Sequence, residues 1–128
     1  MRTLVLGIFL LQASIMYAQL YTTDTLQLTC TETTVKKLTE DSLSSTFLIC
    51  IPRQVKLHKH AHHTENVVVL SGEAMMQLGN ETLHIRKGHT VFIPCNTPHK
   101  VTVTSKEPLR VLSIQSPRFD GSDRILLE

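Results

Sequence analysis

Between Ser45 and Ser116 every apolar run is short, and each is bounded by glycine, proline or asparagine. "STFLICIP" ends at Pro52, "NVVVLSG" at Gly72, and "HTVFIP", "HKVTVTS" and "LRVLSIQS" follow at close intervals. Runs of this length, with these breakers between them, are strands and turns. "EAMMQLGNETLHIRKG" reads as a hairpin turning at Gly79-Asn80, because asparagine and glycine enter the positive-φ conformations that tight hairpin turns need. Upstream, "TLQLTCT" alternates like a strand, and "ETTVKKLTEDSLS" has room for one or two helical turns at most. Many short, evenly spaced strands without a long helix imply an all-β sandwich or closed barrel.

The chain is 128 residues long, enough for one core and too short for two. Lys plus Arg exceeds Asp plus Glu by two (13 against 11), and no basic run or aromatic-interleaved patch is present, so nucleic acid is not an expected partner. The first residues, "MRTLVLGIFLLQASIMYAQL", carry one early cation, Arg2, an apolar stretch from Leu4 to Met16, and a small residue, Ala18, before Gln19. That layout is the one expected of a secretory signal peptide over residues 1–18; the competing reading, an uncleaved membrane anchor, is disfavoured by an apolar core shorter than the ~20 residues that span a bilayer. The mature domain would then run from 19 to 128, periplasmic or secreted, with no membrane segment after cleavage.

Export would place the three cysteines, Cys30, Cys50 and Cys95, in an oxidising compartment, where at most one intramolecular disulfide can form. Cys30 with Cys50 is the favoured pairing, since both lie in apolar runs away from the histidines. Three buried free thiols are the competing reading, and Cys95 is expected to be a buried thiol in either case.

Four of the seven histidines, His58, His60, His62 and His63, fall in "KLHKHAHH", and Glu65 follows. On a strand, His58, His60 and His62 share one face while Lys59, Ala61 and His63 take the other. If the shared face looks into a barrel, the imidazoles converge as a site for a divalent transition metal requires. Taken alone, the run could equally be exposed polar residues.

A wider pattern goes further. His58-x-His60-x4-Glu65-x6-Gly72, followed by Gly88-x5-Pro94 and then His99, resembles the two sequence motifs of the cupin family, in order and with the family's gaps. The resemblance covers Lys56 to about Ser116. It departs at Asn96, where a glycine is usual, and at Val103, where an asparagine is common. Asparagine tolerates the left-handed turn that glycine serves there. Membership would imply a double-stranded β-helix, or jelly-roll barrel, with a six-stranded core, often as a homodimer. It would also imply one divalent metal (Mn, Fe, Ni, Cu or Zn) held by His58, His60, Glu65 and His99. Parity leaves His60 with His62 as an alternative ligand pair, but the gap to Glu65 is then shorter than the family's.

In this reading His62 sits just beyond the metal near the barrel mouth, either supporting the metal's ligands or carrying protons, and Glu65 is the other catalytic candidate. Val67, Val69, Val101 and Val103 are the expected cavity walls, and one of Met75 and Met76 joins them. His84 and His89 match no ligand position and are read as exposed strand or turn residues. The tail "SPRFDGSDRILLE" is read as an added outer strand or a crossing to a partner subunit, and no chemistry is assigned to Asp120, Asp123 or Arg124. Two functions of different class follow: a metal-dependent oxygenase or isomerase acting on a small oxygen-rich molecule (a phenolic, a keto compound or a sugar), or a non-catalytic binding module for a metal or carbohydrate.

Overall fold

The computed structural model describes residues 18–24 and 26–127. The leader expected over residues 1–18 lies, except for Ala18, outside the described residues. Among those described, the chain forms ten strands and no helix: β1 (Thr34–Glu40), β2 (Ser45–Ile51), β3 (Gln54–His60), β4 (Thr64–Ser71), β5 (Glu73–Leu78), β6 (Glu81–Arg86), β7 (Thr90–Ile93), β8 (His99–Val103), β9 (Leu109–Ser116) and β10 (Arg124–Leu126). They build two five-stranded sheets, β1-β2-β9-β4-β7 and β10-β3-β8-β5-β6, whose neighbouring strands are antiparallel.

The alternation in the sequence is the alternation of the walls. Glu65, Val67 and Val69 of β4 and Leu109, Val111, Ser113 and Gln115 of β9 point inward, while the residues between them are only partly buried. Met76 of β5 is buried among Ile51, Val67, Ile85, Ile93 and Val101, and its neighbour Met75 stays exposed, so the pair divides between the two faces as its adjacency requires.

Turn chemistry closes the strands. The β5–β6 hairpin turns at Gly79 (φ 57°) and Asn80. At Gly72 (φ 79°) an added Cβ would sit 2.6 Å from the Pro108 carbonyl oxygen, so the close approach of backbone to backbone admits only glycine. Asn96 is left-handed (φ 60°), as expected for an asparagine replacing glycine, and its N–H donates to the His60 carbonyl at 2.5 Å. That bond joins the loop before His99 to the end of the strand carrying His58 and His60.

Three readings of local structure change. Residues 32–44 are not helical; from Thr34 they form β1, an edge strand whose register with β2 supplies its order, with Leu38 its buried residue. The turn after it is held by Asp41, whose carboxylate accepts the N–H groups of Leu43 and Ser44 at 2.8 Å each. Leu26–Cys30 is not a strand despite its alternation. It is fixed instead by the Cys30–Cys50 disulfide (Cα–Cα 5.8 Å) and by Arg110, whose guanidinium donates to the carbonyls of Thr23 and Leu26 at 2.9 and 2.8 Å. Cys95 is a free thiol, but it is exposed rather than buried, because it lies in the turn between β7 and β8.

Candidate metal centre

Strand pairing brings the histidines together. His58 and His60 are alternate residues at the end of β3, so both face inward, and His99 opens β8 directly across from His58. The ladder between β3 and β8 breaks register between Val55 and His58, which turns the end of β3. Glu65 comes from the opposite sheet, at the start of β4 and across from Gln115 of β9. All four side chains are buried, at 4 to 6 % exposure.

His58, His60 and His99 each offer a donor nitrogen within 4.8 Å of the other two. Two of the rings are oriented by backbone. Nδ1 of His58 donates to the Lys56 carbonyl at 2.8 Å and Nδ1 of His99 to the Thr97 carbonyl at 3.0 Å, so Nε2 of each ring keeps its lone pair for a ligand. Oε2 of Glu65 lies 3.7 Å from Nε2 of His60 and 3.6 Å from Nε2 of His99. Its other oxygen, Oε1, accepts the Ser113 hydroxyl, and the Gln115 amide donates to Ser113 Oγ at 3.3 Å.

Protonation suits ligation. Burial, reinforced by His99, pushes His58 down to about 4. His60 is also lowered, with burial the largest cause, opposed by the Glu65 carboxylate. Burial would raise Glu65, but hydrogen bonds from His99 and Ser113 outweigh it and hold the carboxyl below its ordinary value. Near neutral pH the centre therefore presents neutral His58 and His60 beside an ionised carboxylate. Imidazole nitrogens and a carboxylate oxygen at this spacing fit a divalent transition metal.

The neighbouring histidines do other things. β3 ends at His60 and residues 61–63 turn, so strand parity does not extend to the next pair. His62 is exposed and is not among the residues lining the cavity, and it is His58 and His99, not His62, that cluster with His60. His63 is the buried one. Its Nδ1 pairs with Oδ2 of Asp123 at 2.5 Å and its Nε2 with the Arg118 carbonyl at 2.9 Å. Burial alone would lower His63, but these partners raise it. Asp123 also accepts the backbone N–H groups of Ala61, His62 and His63, and those bonds with His63, against the cost of burial, bring it down to about 2. His84, exposed on β6, pairs with Glu73, and His89 is an exposed turn residue.

The centre opens into a cavity of about 200 Å³. Val67, Val101 and Met76 line it as expected, while Val69 and Val103 pack outside the lining. The tail, read without chemistry, contributes two lining residues. Phe119 sets its ring edge-on to His60 and His63, 5.2 Å from each, and Arg124 stands across from His60 in the β10–β3 ladder. Their one sequence signal was an aromatic and a cation ahead of the apolar "ILL". The contacts that bring them back are about 60 residues away along the chain.

Two antiparallel sheets closed over an inward-facing histidine cluster define a double-stranded β-helix with a site able to hold metal. The cupin domain family model matches residues 47–115, more than half of the 128-residue chain, and the chain belongs to that family. A relative from Methanocaldococcus jannaschii, itself uncharacterised, is 33% identical over 81 residues, covering 63% of this chain and 65% of that protein. Mannose-1-phosphate guanylyltransferase RfbM of Salmonella typhimurium is 36% identical over 67 residues, 52% of this chain. The chain spans only 14% of that enzyme's length. Among solved structures, a double-stranded β-helix protein from Klebsiella pneumoniae superposes with a TM-score of 0.74 at 21% identity, covering 88% of this chain and 99% of that one. The nucleoside dehydratase Pac13 superposes with a TM-score of 0.64 at 13% identity, covering 80% and 90%. At these identities the structural likenesses speak for the fold.

Proposed function

We propose that this chain is an exported cupin that holds one divalent transition metal through His58, His60, Glu65 and His99, and acts as an oxygenase or isomerase on a small ligand. One observation carries the reading: three buried imidazoles and a buried carboxylate converge on the wall of an otherwise mostly apolar cavity. A bound ion of this kind supplies Lewis acidity and orients an oxygen donor. The chain's own residues do the rest. The Lys56 and Thr97 carbonyls hold the rings of His58 and His99, Ser113 holds Glu65, and the Ile, Val and Leu side chains keep water out. Oε2 of Glu65 is the carboxylate oxygen left to take a ligand or a proton.

The walls narrow the substrate. Ile49, Ile51, Val55, Val111 and Leu109 offer the hydroxyls of a sugar no partners, whereas a phenolic or keto compound needs few. Export is supported by the leader-like first residues and by the disulfide, which belongs to oxidising compartments.

Metal-free protein loaded separately with manganese, ferrous iron, nickel, copper or zinc would be mixed with phenolic and keto compounds, and dioxygen uptake and product followed. Turnover that disappears in His58→Ala/His60→Ala supports the enzyme. Metal and ligand uptake without conversion would identify a binding module instead. Expression in a Gram-negative host should yield a periplasmic product beginning near Gln19; full-length protein in the cytoplasm would overturn the export reading.

A further inference from the structure

Apart from the four candidate ligands, the cavity has one charged lining residue among the described residues, Arg124. Backbone pairing sets its direction. Arg124 is directly opposite His60 in the β10–β3 ladder, and residues opposite one another in an antiparallel pair project to the same side. Asp123 pins this register by accepting the N–H groups of Ala61, His62 and His63. Arg124 is nevertheless exposed, so it stands at the mouth rather than in the depths.

Among the described residues no carboxylate pairs with Arg124. Asp123, its neighbour in sequence, is committed to His63 and three amides. Glu65 is committed to Ser113 and faces His60 and His99. An unpaired guanidinium at the entrance to an apolar chamber is a ready partner for an anion, and its planar fork of donors matches a carboxylate. A small acid entering there would keep its charge at the mouth and bury its apolar body among Val55, Val67 and Val111.

We propose that Arg124 is the anion-recognising residue of this cavity and that its ligands are small monocarboxylates with a compact apolar body. This rests on the cavity being the ligand site proposed above, and it stands with or without the metal.

Benzoate, titrated into the purified protein in metal-free and zinc-loaded form and followed by calorimetry or saturation-transfer NMR, tests it. Benzoate should bind once per chain, and benzamide, the same body without the charge, about tenfold more weakly. Arg124→Gln should weaken benzoate about tenfold in the metal-free protein and leave benzamide unchanged, and Arg124→Lys should recover part of the loss. Equal melting temperatures for wild type and variants confirm that the fold is intact. Benzoate binding that is undetectable, or unchanged in Arg124→Gln, would overturn the proposal. The two readings fail separately. If His58→Ala/His60→Ala keeps its metal while benzoate still depends on Arg124, the metal assignment falls and the anion site stands. If the double variant loses its metal while Arg124→Gln changes nothing, the reverse holds.

Discussion

The Ser113 hydroxyl donates to Oε1 of Glu65, and the opposite oxygen, Oε2, faces Nε2 of His60 and of His99 at 3.7 and 3.6 Å. One hydrogen bond from β9 thus decides which way a carboxylate on β4 presents itself to histidines from the other sheet. Ser113 is fully buried, and Gln115 supports it from two residues further along the same face.

Ser113→Ala should therefore weaken metal binding about tenfold or more while the histidines remain in place, in line with the cost of losing a partner that orients a ligand. Competition with a chelator of known affinity gives the number. Unchanged affinity would mean that Glu65 is aimed by its packing alone.

The double change His58→Ala/His60→Ala removes two of the three clustered donors. Wild-type protein should carry close to one transition metal per chain, and the variant almost none. Added metal should raise the melting temperature of the wild type only, because an ion that binds the folded state stabilises it by mass action. His84→Ala and His89→Ala, at exposed positions outside the cavity lining, should match the wild type in both measurements. Metal retained by the double variant would refute the ligand assignment.

The four candidate ligands came from the resemblance to the cupin motifs, since strand alternation by itself allowed His60 with His62 as readily as His58 with His60 and said nothing of Glu65 or His99. Alternation failed one residue past the strand end. His62 and His63 exchanged their expected faces because β3 stops at His60 and the chain turns there. The edge strand β1 was illegible for a different reason: one of its residues, Leu38, is buried, so almost no apolar pattern marks it. Asp123, Phe119 and Arg124 were missed because their partners are His60, Ala61, His62 and His63, and no local period reports a contact made across the barrel.

Thiol counting tests the Cys30–Cys50 bond. Oxidised protein under denaturing conditions should show one free thiol, Cys95, and reduced protein three. Replacing Cys30 and Cys50 together by serine should cost about 3 kcal/mol, the value expected for a closed loop of this order, given the separation of 20 residues. Three free thiols before reduction, in protein recovered from an oxidising compartment, would show that the bond does not form.

Asp123 ties the C-terminal tail to the turn after β3, and its charge is the source of that hold. With its pKa brought from 3.8 to about 2 by His63 and the backbone amides, it favours the folded state above the unfolded value. That contribution is complete at neutral pH and is lost progressively as the pH falls from 3.8 through about 2, below which both states are protonated. Asp123→Asn keeps the shape of the side chain but not the charge. The variant should melt several degrees below the wild type near neutrality, and the gap should narrow as both are taken towards about pH 2 and close below it, other acidic groups being common to the two proteins. Thermal melts of the pair across that range measure it. A gap that persists undiminished in acid would assign the loss to altered hydrogen bonding in the turn, and the carboxylate's charge would no longer explain how the tail is held over the cavity.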